Sequence, residues 1–171
     1  MADPFTTLLT GIWSTLEAYS AGADSFTALV PSDNRIKLAS ATEMIGRFQP
    51  YPKSAVAPLV TVWMDAGRSQ VICSSGTELA TVWMFDIKMA DQRPVVQAFP
   101  VMWATYRAMA AASKVGSTIR SYTFDGLGKV TDCHFTTFDA KYGLFAQDSQ
   151  MQGWHTMWAY EINMVFTSSS L

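Results

Sequence analysis

Apolar residues recur at Phe5, Leu8, Leu9, Ile12, Trp13 and Leu16, and Tyr19 extends the series. That spacing is one continuous face at the helical period, so the chain opens with a predicted amphipathic helix. Asp3 stands at the capping position and Pro4 at the first helical position, where a missing N–H costs nothing. Gly22 is the expected end. A short second turn is predicted over 24–30, opened by Asp24 and closed by Pro31 with Ser32, Asp33 and Asn34. Positions 35–38 alternate and predict a short strand. Positions 39–57 have no periodic apolar face and contain Gly46, Pro50 and Pro52, which predicts a long loop. After Pro58, the run from Leu59 to Met64 begins a second strand.

Residues 77–89 predict a longer strand: Leu79, Thr81, Trp83, Phe85, Ile87 and Met89 share one face. The opposite face, with Ala80, Val82 and Met84, is polar only at its ends and therefore needs a cover. A second helix is predicted over 91–113, with Val96, Phe99, Met102, Trp103, Tyr106, Met109 and Ala110 at helical spacing. Pro100 either bends that helix or marks a true start near Phe99, and Gly116 is its expected stop. Extended pieces at 118–124 and 129–138 flank Asp125-Gly126-Leu127-Gly128, a hairpin turn by composition. The strongest strand pattern covers 154–166, where Trp154, Thr156, Trp158, Tyr160, Ile162 and Met164 alternate with the intervening residues. Positions 139–153 read as a second long loop, and 167–171 as a flexible tail. Residues 1–171 thus form one expected domain of α+β class, a mostly antiparallel sheet with two main helices packed on it.

Composition then limits function. Only 15% of residues are charged, against roughly 25% in ordinary soluble domains, while 49% are hydrophobic, with 6 Trp, 6 Tyr and 10 Phe. Too few charges remain to cover the surface, so part of the apolar surface is expected to meet another protein. The net charge of −2 argues against broad nucleic-acid affinity, which needs a positive field. The first residues lack the basic start and apolar stretch of a secretory signal, and no run reaches the roughly 18–20 apolar residues of a membrane span. A cytoplasm-like place of synthesis, and no membrane partner, are the expectations.

Candidate chemistry is sparse. Asp132-Cys133-His134 concentrates metal-capable groups and His155 adds a possible ligand, but strand neighbours point to opposite faces. Only Asp132 and His134 converge, too few for a structural zinc site. Cys73 and Cys133 form no CxxC pair, and buried free thiols are the simpler expectation. A thiol–imidazole pair of Cys73 with His134 or His155 stays open. Cys73-Ser74-Ser75-Gly76 lacks the glycine two positions before the serine that a nucleophile elbow requires. Gly126-Leu127-Gly128-Lys129 lacks the third glycine and the following helix of a phosphate loop. Neither an enzyme nor a metal or cofactor is expected.

Binding groups are expected in the two long loops, where compact scaffolds place them. These are Arg47, Phe48, Tyr51 and Lys53 in the first, and Tyr142, Phe145 and Asp148, with Lys141, in the second. Val82, Met84 and Met157 on the second faces of their strands complete the candidate interface. Charge is uneven: residues 35–68 carry five basic and two acidic residues, and 125–161 five acidic and two basic. Solvated faces account for this, as do complementary surfaces on successive subunits of a ring.

The order of elements resembles that of the tail terminator proteins of long-tailed bacteriophages, also called tail completion or tail-to-head joining proteins. The resemblance rests on the opening helix leading to Phe26-Thr27-Ala28-Leu29-Val30, then Asn34-Arg35-Ile36-Lys37 as the first strand. A long loop, a strand pair, a second helix after Arg93-Pro94 and a final strand pair complete it. It covers nearly the whole chain and is one of organisation, without a diagnostic motif; the two long loops exceed what the family leads one to expect. The resemblance implies a hexameric ring in the virion neck, assembled in the host cytoplasm. That ring ends tube polymerisation, contacts the tube protein and the head–tail connector or stopper, and lets DNA pass through its lumen. Another phage neck or tail protein is an alternative. A second alternative is a curved-sheet small-molecule binder of the nuclear-transport-factor-like kind, with Trp63, Trp83, Trp158 and Tyr160 lining a cavity.

Overall fold

Asp3 caps helix α1, which spans Pro4–Ala18 in the computed structural model of the chain. The structure describes residues 3–37, 58–73, 76–89, 98–124, 128–144 and 152–167. The Asp3 carboxylate accepts the Thr6 backbone N–H at 2.8 Å, and its carbonyl accepts the Thr7 hydroxyl at 3.0 Å. Because the bond from Thr6 favours the anion, the Asp3 carboxyl lies below its ordinary value. Leu8, Ile12, Trp13 and Leu16 are buried as the periodicity requires, whereas Phe5 stays exposed in the first turn. The helix ends at Ala18, and Gly22, at φ +62°, opens a 3-10 turn (Gly22–Asp24) instead of closing α1.

Ser25, not Asp24, caps the next helix, α2 (Phe26–Leu29), its hydroxyl oxygen accepting the Ala28 N–H at 3.3 Å. The aspartate is taken up by the preceding turn. Arg35 then binds the carbonyl end of α2: its guanidinium donates to the Val30 carbonyl at 2.7 and 2.9 Å and to the Thr27 carbonyl at 3.3 Å. The same group pairs with Glu17 of α1 at 3.4 Å. Its charge is used inside the fold, satisfying carbonyls that the end of a helix leaves bare.

The sheet comprises β1 (Arg35–Lys37), β2 (Leu59–Cys73), β3 (Gly76–Met89), β4 (Thr123–Phe124), β5 (Gly128–Leu144) and β6 (Gln152–Thr167). Its order is β1-β2-β3-β6-β5-β4. Every pair is antiparallel except β1 with β2. Helix α3 (Ala98–Ala112) lies between β3 and β4 in sequence. This is the expected α+β arrangement. The final strand β6 sits inside the sheet, so its long aromatic alternation is matched on both sides. Trp83, Phe85 and Ile87 of β3 stand in register with Tyr160, Trp158 and Thr156 of β6. Together with Val60, Val62, Val130 and Cys133 they form one core with α1, α2 and α3. Irregularities in β2 and β5, between Met64 and Ala66 and between Phe135 and Thr137 among others, add twist and let the sheet curl.

Two further expectations fail. The expected loop at 139–153 is largely strand, because β5 continues to Leu144 and pairs Tyr142 with Trp154 and Leu144 with Gln152. Ala140, Tyr142 and Leu144 alternate with Asp139, Lys141 and Gly143, and the backbone partners that β6 offers carry β5 through them. Tyr142 is therefore a strand residue and not a loop residue. The extended piece expected at 118–124 is a 3-10 turn at Ile119–Ser121 followed by only two strand residues, with Ile119 fully buried beneath it. Residues 39–57, expected as a loop, lie outside the described residues. Pro100 falls in the first turn of α3, where its missing N–H has no intrahelical partner to lose, and Gly116 adopts φ +80° beyond the helix end.

Two outcomes are expected. Asp3→Ala lowers the thermal midpoint at neutral pH. Since the folded carboxyl is depressed, that difference is present above the ordinary aspartate range and shrinks as pH falls through it, measurable by calorimetry across pH 2–7. Gly11→Ala drives a methyl group into the Tyr122 ring, which crosses α1 at that point and packs on the core. Overpacking costs about 1–3 kcal/mol against a helix-propensity gain of about 1 kcal/mol, so denaturant titration should show net destabilisation.

Candidate interaction surface

Helix α3 has a sequence that offers two faces at the same period. Val101, Ala104, Thr105, Ala108, Met109 and Ala112 are buried, while Phe99, Trp103 and Tyr106 are 44%, 57% and 42% exposed. Small side chains let the helix lie close to α1: Ala108 and Ala112 border Thr15, Ala18 and Tyr19 across a shallow groove of about 390 Å³. The large rings consequently turn outward. The helical face read from the sequence is split, with Met109 inside and its three aromatics outside.

The outward rings are not isolated. Trp103 stacks on Tyr106 with centroids 5.8 Å apart and planes 17° apart, and Tyr106 stacks on Phe135 at 5.6 Å and 24°. Phe135 meets Trp158 at 4.9 Å and Tyr160 at 5.0 Å edge to face, which carries the ladder into the core. Edge-to-face and offset pairs of this kind add to the burial energy. At the outer end, the Arg107 guanidinium lies 5.7 Å from the Tyr19 ring centre and 5.9 Å from that of Trp103. The result is a preorganised aromatic surface with one cation on it.

A hydroxyl relay anchors the end of α3. Ser113 donates to the Met109 carbonyl at 2.7 Å, so its oxygen receives the Tyr160 hydroxyl proton at 2.5 Å. Burial pushes the Tyr160 hydroxyl far above its ordinary value, reinforced by its neighbour Cys133, and the ring stays neutral. This is a structural tie between helix and sheet.

The opposite side of the sheet carries the other candidates. Val82, Met84 and Met157 are half-buried there, beside the buried Ala80 and Ala159. Asp132 and His134 do converge, Asp132 Oδ2 to His134 Nδ1 at 3.1 Å, and Cys133 between them faces the core. Arg120 occupies the other oxygen of the same carboxylate. Partial burial raises the Asp132 carboxyl, but the hydrogen bond and charge of Arg120, with His134, outweigh it and hold the group below the usual aspartate range. Among the described residues no three His, Cys, Asp or Glu side chains are grouped to hold a metal ion. Of the four aromatics considered for a cavity, Trp83, Trp158 and Tyr160 face the core, whereas Trp63 stands in register with Met84 on the other face. The sheet thus separates Trp63 from the other three. Arg47, Phe48, Tyr51, Lys53, Phe145 and Asp148 lie outside the described residues.

The chain matches no protein-family model and no curated protein. The α3 surface escaped the sequence reading because aromatic residues at helical spacing read as core. The row Ala104, Ala108, Ala112 was the available signal, since small residues mark the side of a helix that approaches another closely.

Tyr160→Phe removes one hydrogen bond from the relay and should cost about 0.5–1.5 kcal/mol at neutral pH. The raised hydroxyl stabilises the fold below the ordinary tyrosine range, and this is lost as pH rises through it and the unfolded chain ionises. Denaturant titration should therefore show the gap between wild type and variant closing in alkali.

Proposed function

We propose that the chain is a structural subunit of a phage tail, a terminator that closes the head-proximal end of the tail tube as a hexameric ring. The observation that carries this reading is the aromatic surface of α3: Trp103 and Tyr106 are ordered by stacking and yet, with Phe99, left exposed. Exposed aromatics with an arginine are the residues that dominate protein–protein contacts. A chain with 15% charged residues has few other means of keeping such a surface soluble alone. The element order described above supports the same reading.

In this role the action is steric and interfacial. One surface seats on the last ring of tube protein and blocks further addition, another receives the connector or stopper, and DNA passes through the lumen. No reaction and no cofactor enter, and the protein resides in the virion neck after assembly in the host cytoplasm. A different neck or tail protein would use the same surface chemistry. A cavity-based binder is less well supported, since Trp63 stands apart from the other three aromatics.

Sedimentation of the purified chain at about 1–50 μM, a range that captures micromolar association, should show a closed ring of six. Class averages of the assembled particle should place that ring at the tube end. A strictly monomeric chain in solution and its absence from the neck would overturn the proposal.

A further inference from the structure

Arg107 and Glu161 are both charges without a counter-charge among the described residues. The described partners of Arg107 are two rings, Tyr19 and Trp103. That of Glu161 is the side-chain amide of Asn163, which donates to it at 3.0 Å. The two residues belong to opposite sides of one sheet. Tyr106, next to Arg107, stacks on Phe135, which faces α3 in register with Tyr160. Glu161 follows Tyr160 and so points away, in register with His134 on β5 and with Val82 on β3.

The surroundings of each charge fit the other. Segment 98–117 contains Arg107 and Lys114 and no acidic residue, so two copies of the α3 surface placed face to face would oppose like charges. The rings of Trp103, Tyr106 and Phe135 stack in series, leaving no gap for a planar ligand to enter between them. The exposed Arg107 beside these rings is a cation that suits a carboxylate. The Glu161 surface supplies a carboxylate, an aliphatic neighbour in Val82, and the exposed polar rim of His134 and Thr136.

We infer that the Phe99–Trp103–Tyr106–Arg107 surface of one copy docks on the Glu161-centred reverse face of the sheet of a second copy. This inference rests on the ring reading above and specifies its contact. Two different patches on opposite sides of one subunit make a head-to-tail contact, the kind that repeats around a ring. Arg107 then exchanges its ring-only environment for a carboxylate in a partly desolvated interface, where such pairs weigh more than on an open surface.

A charge-swap series on the full chain tests it, with association read by sedimentation and folding checked by circular dichroism. Arg107→Glu and Glu161→Arg should each weaken association by at least about tenfold, and the double variant should recover most of the loss. Trp103 replaced by a photo-reactive phenylalanine should cross-link to residues around Val82, His134 and Glu161 of another copy. A wild type that assembles while both single variants assemble equally well overturns the docking mode and leaves the ring standing. Cross-links to any other surface, or a double variant no better than the weaker single one, do the same. A wild type that stays monomeric at every concentration overturns ring and contact together.

Discussion

Close packing of α3 through small side chains is the constraint on which the remaining structure depends. Ala104, Ala108 and Ala112, with Val101 and Met109, form the buried side of the helix, against α1 and the sheet. Because a helix has one inner face, the three aromatic residues at the same period must leave it. Trp103 and Tyr106 remain ordered because they stack on one another and Tyr106 finds Phe135 and Trp158 at the edge of the core. The stacking continues through Phe135 to Tyr160, whose hydroxyl returns to Ser113 just beyond α3. Helix, aromatic ladder and sheet are thus one mechanical unit, and the exposed surface inherits its rigidity from the core.

That rigidity bears on binding. An interface built from flexible side chains loses their rotamer freedom on association, whereas rings already held by stacking lose little. Arg107, placed over two rings, is similarly confined before any partner arrives. The reverse side of the sheet is different in kind. Its polar groups are largely engaged with one another, Asp132 with Arg120 and His134, and Glu161 with Asn163. Two unlike faces on one thin layer give the subunit a polarity, which a head-to-tail assembly needs and a symmetric dimer does not.

Charge that looks like a surface feature in the sequence is in part internal. Arg35 counts towards the basic stretch at 35–68, but its guanidinium is occupied by the Val30 and Thr27 carbonyls and by Glu17. It holds together the two short sequences, 26–30 and 34–37, that mark the junction of the first helices with the sheet. The reason those residue types occur there is the bare carbonyl end of α2, which a buried helix terminus cannot leave unpaired.

Where local physics decides the outcome, the sequence alone was sufficient. Asp3 and Pro4 set the start of α1, the apolar period chose its buried side, and the alternation from Trp154 to Met164 fixed both the strand and its core face. The α+β class followed from the order of these patterns. Outcomes that rest on a partner segment were not legible. Residues 139–144 carry only a short alternation and are strand where β6 offers backbone groups to pair with, and 119–121 coiled because Ile119 had a place in the core to fill. The inner side of α3 was decided by the distance to α1, a quantity no single helix encodes. For the same reason, Phe99, Trp103 and Tyr106, which read as core, lie exposed on the outer side of α3.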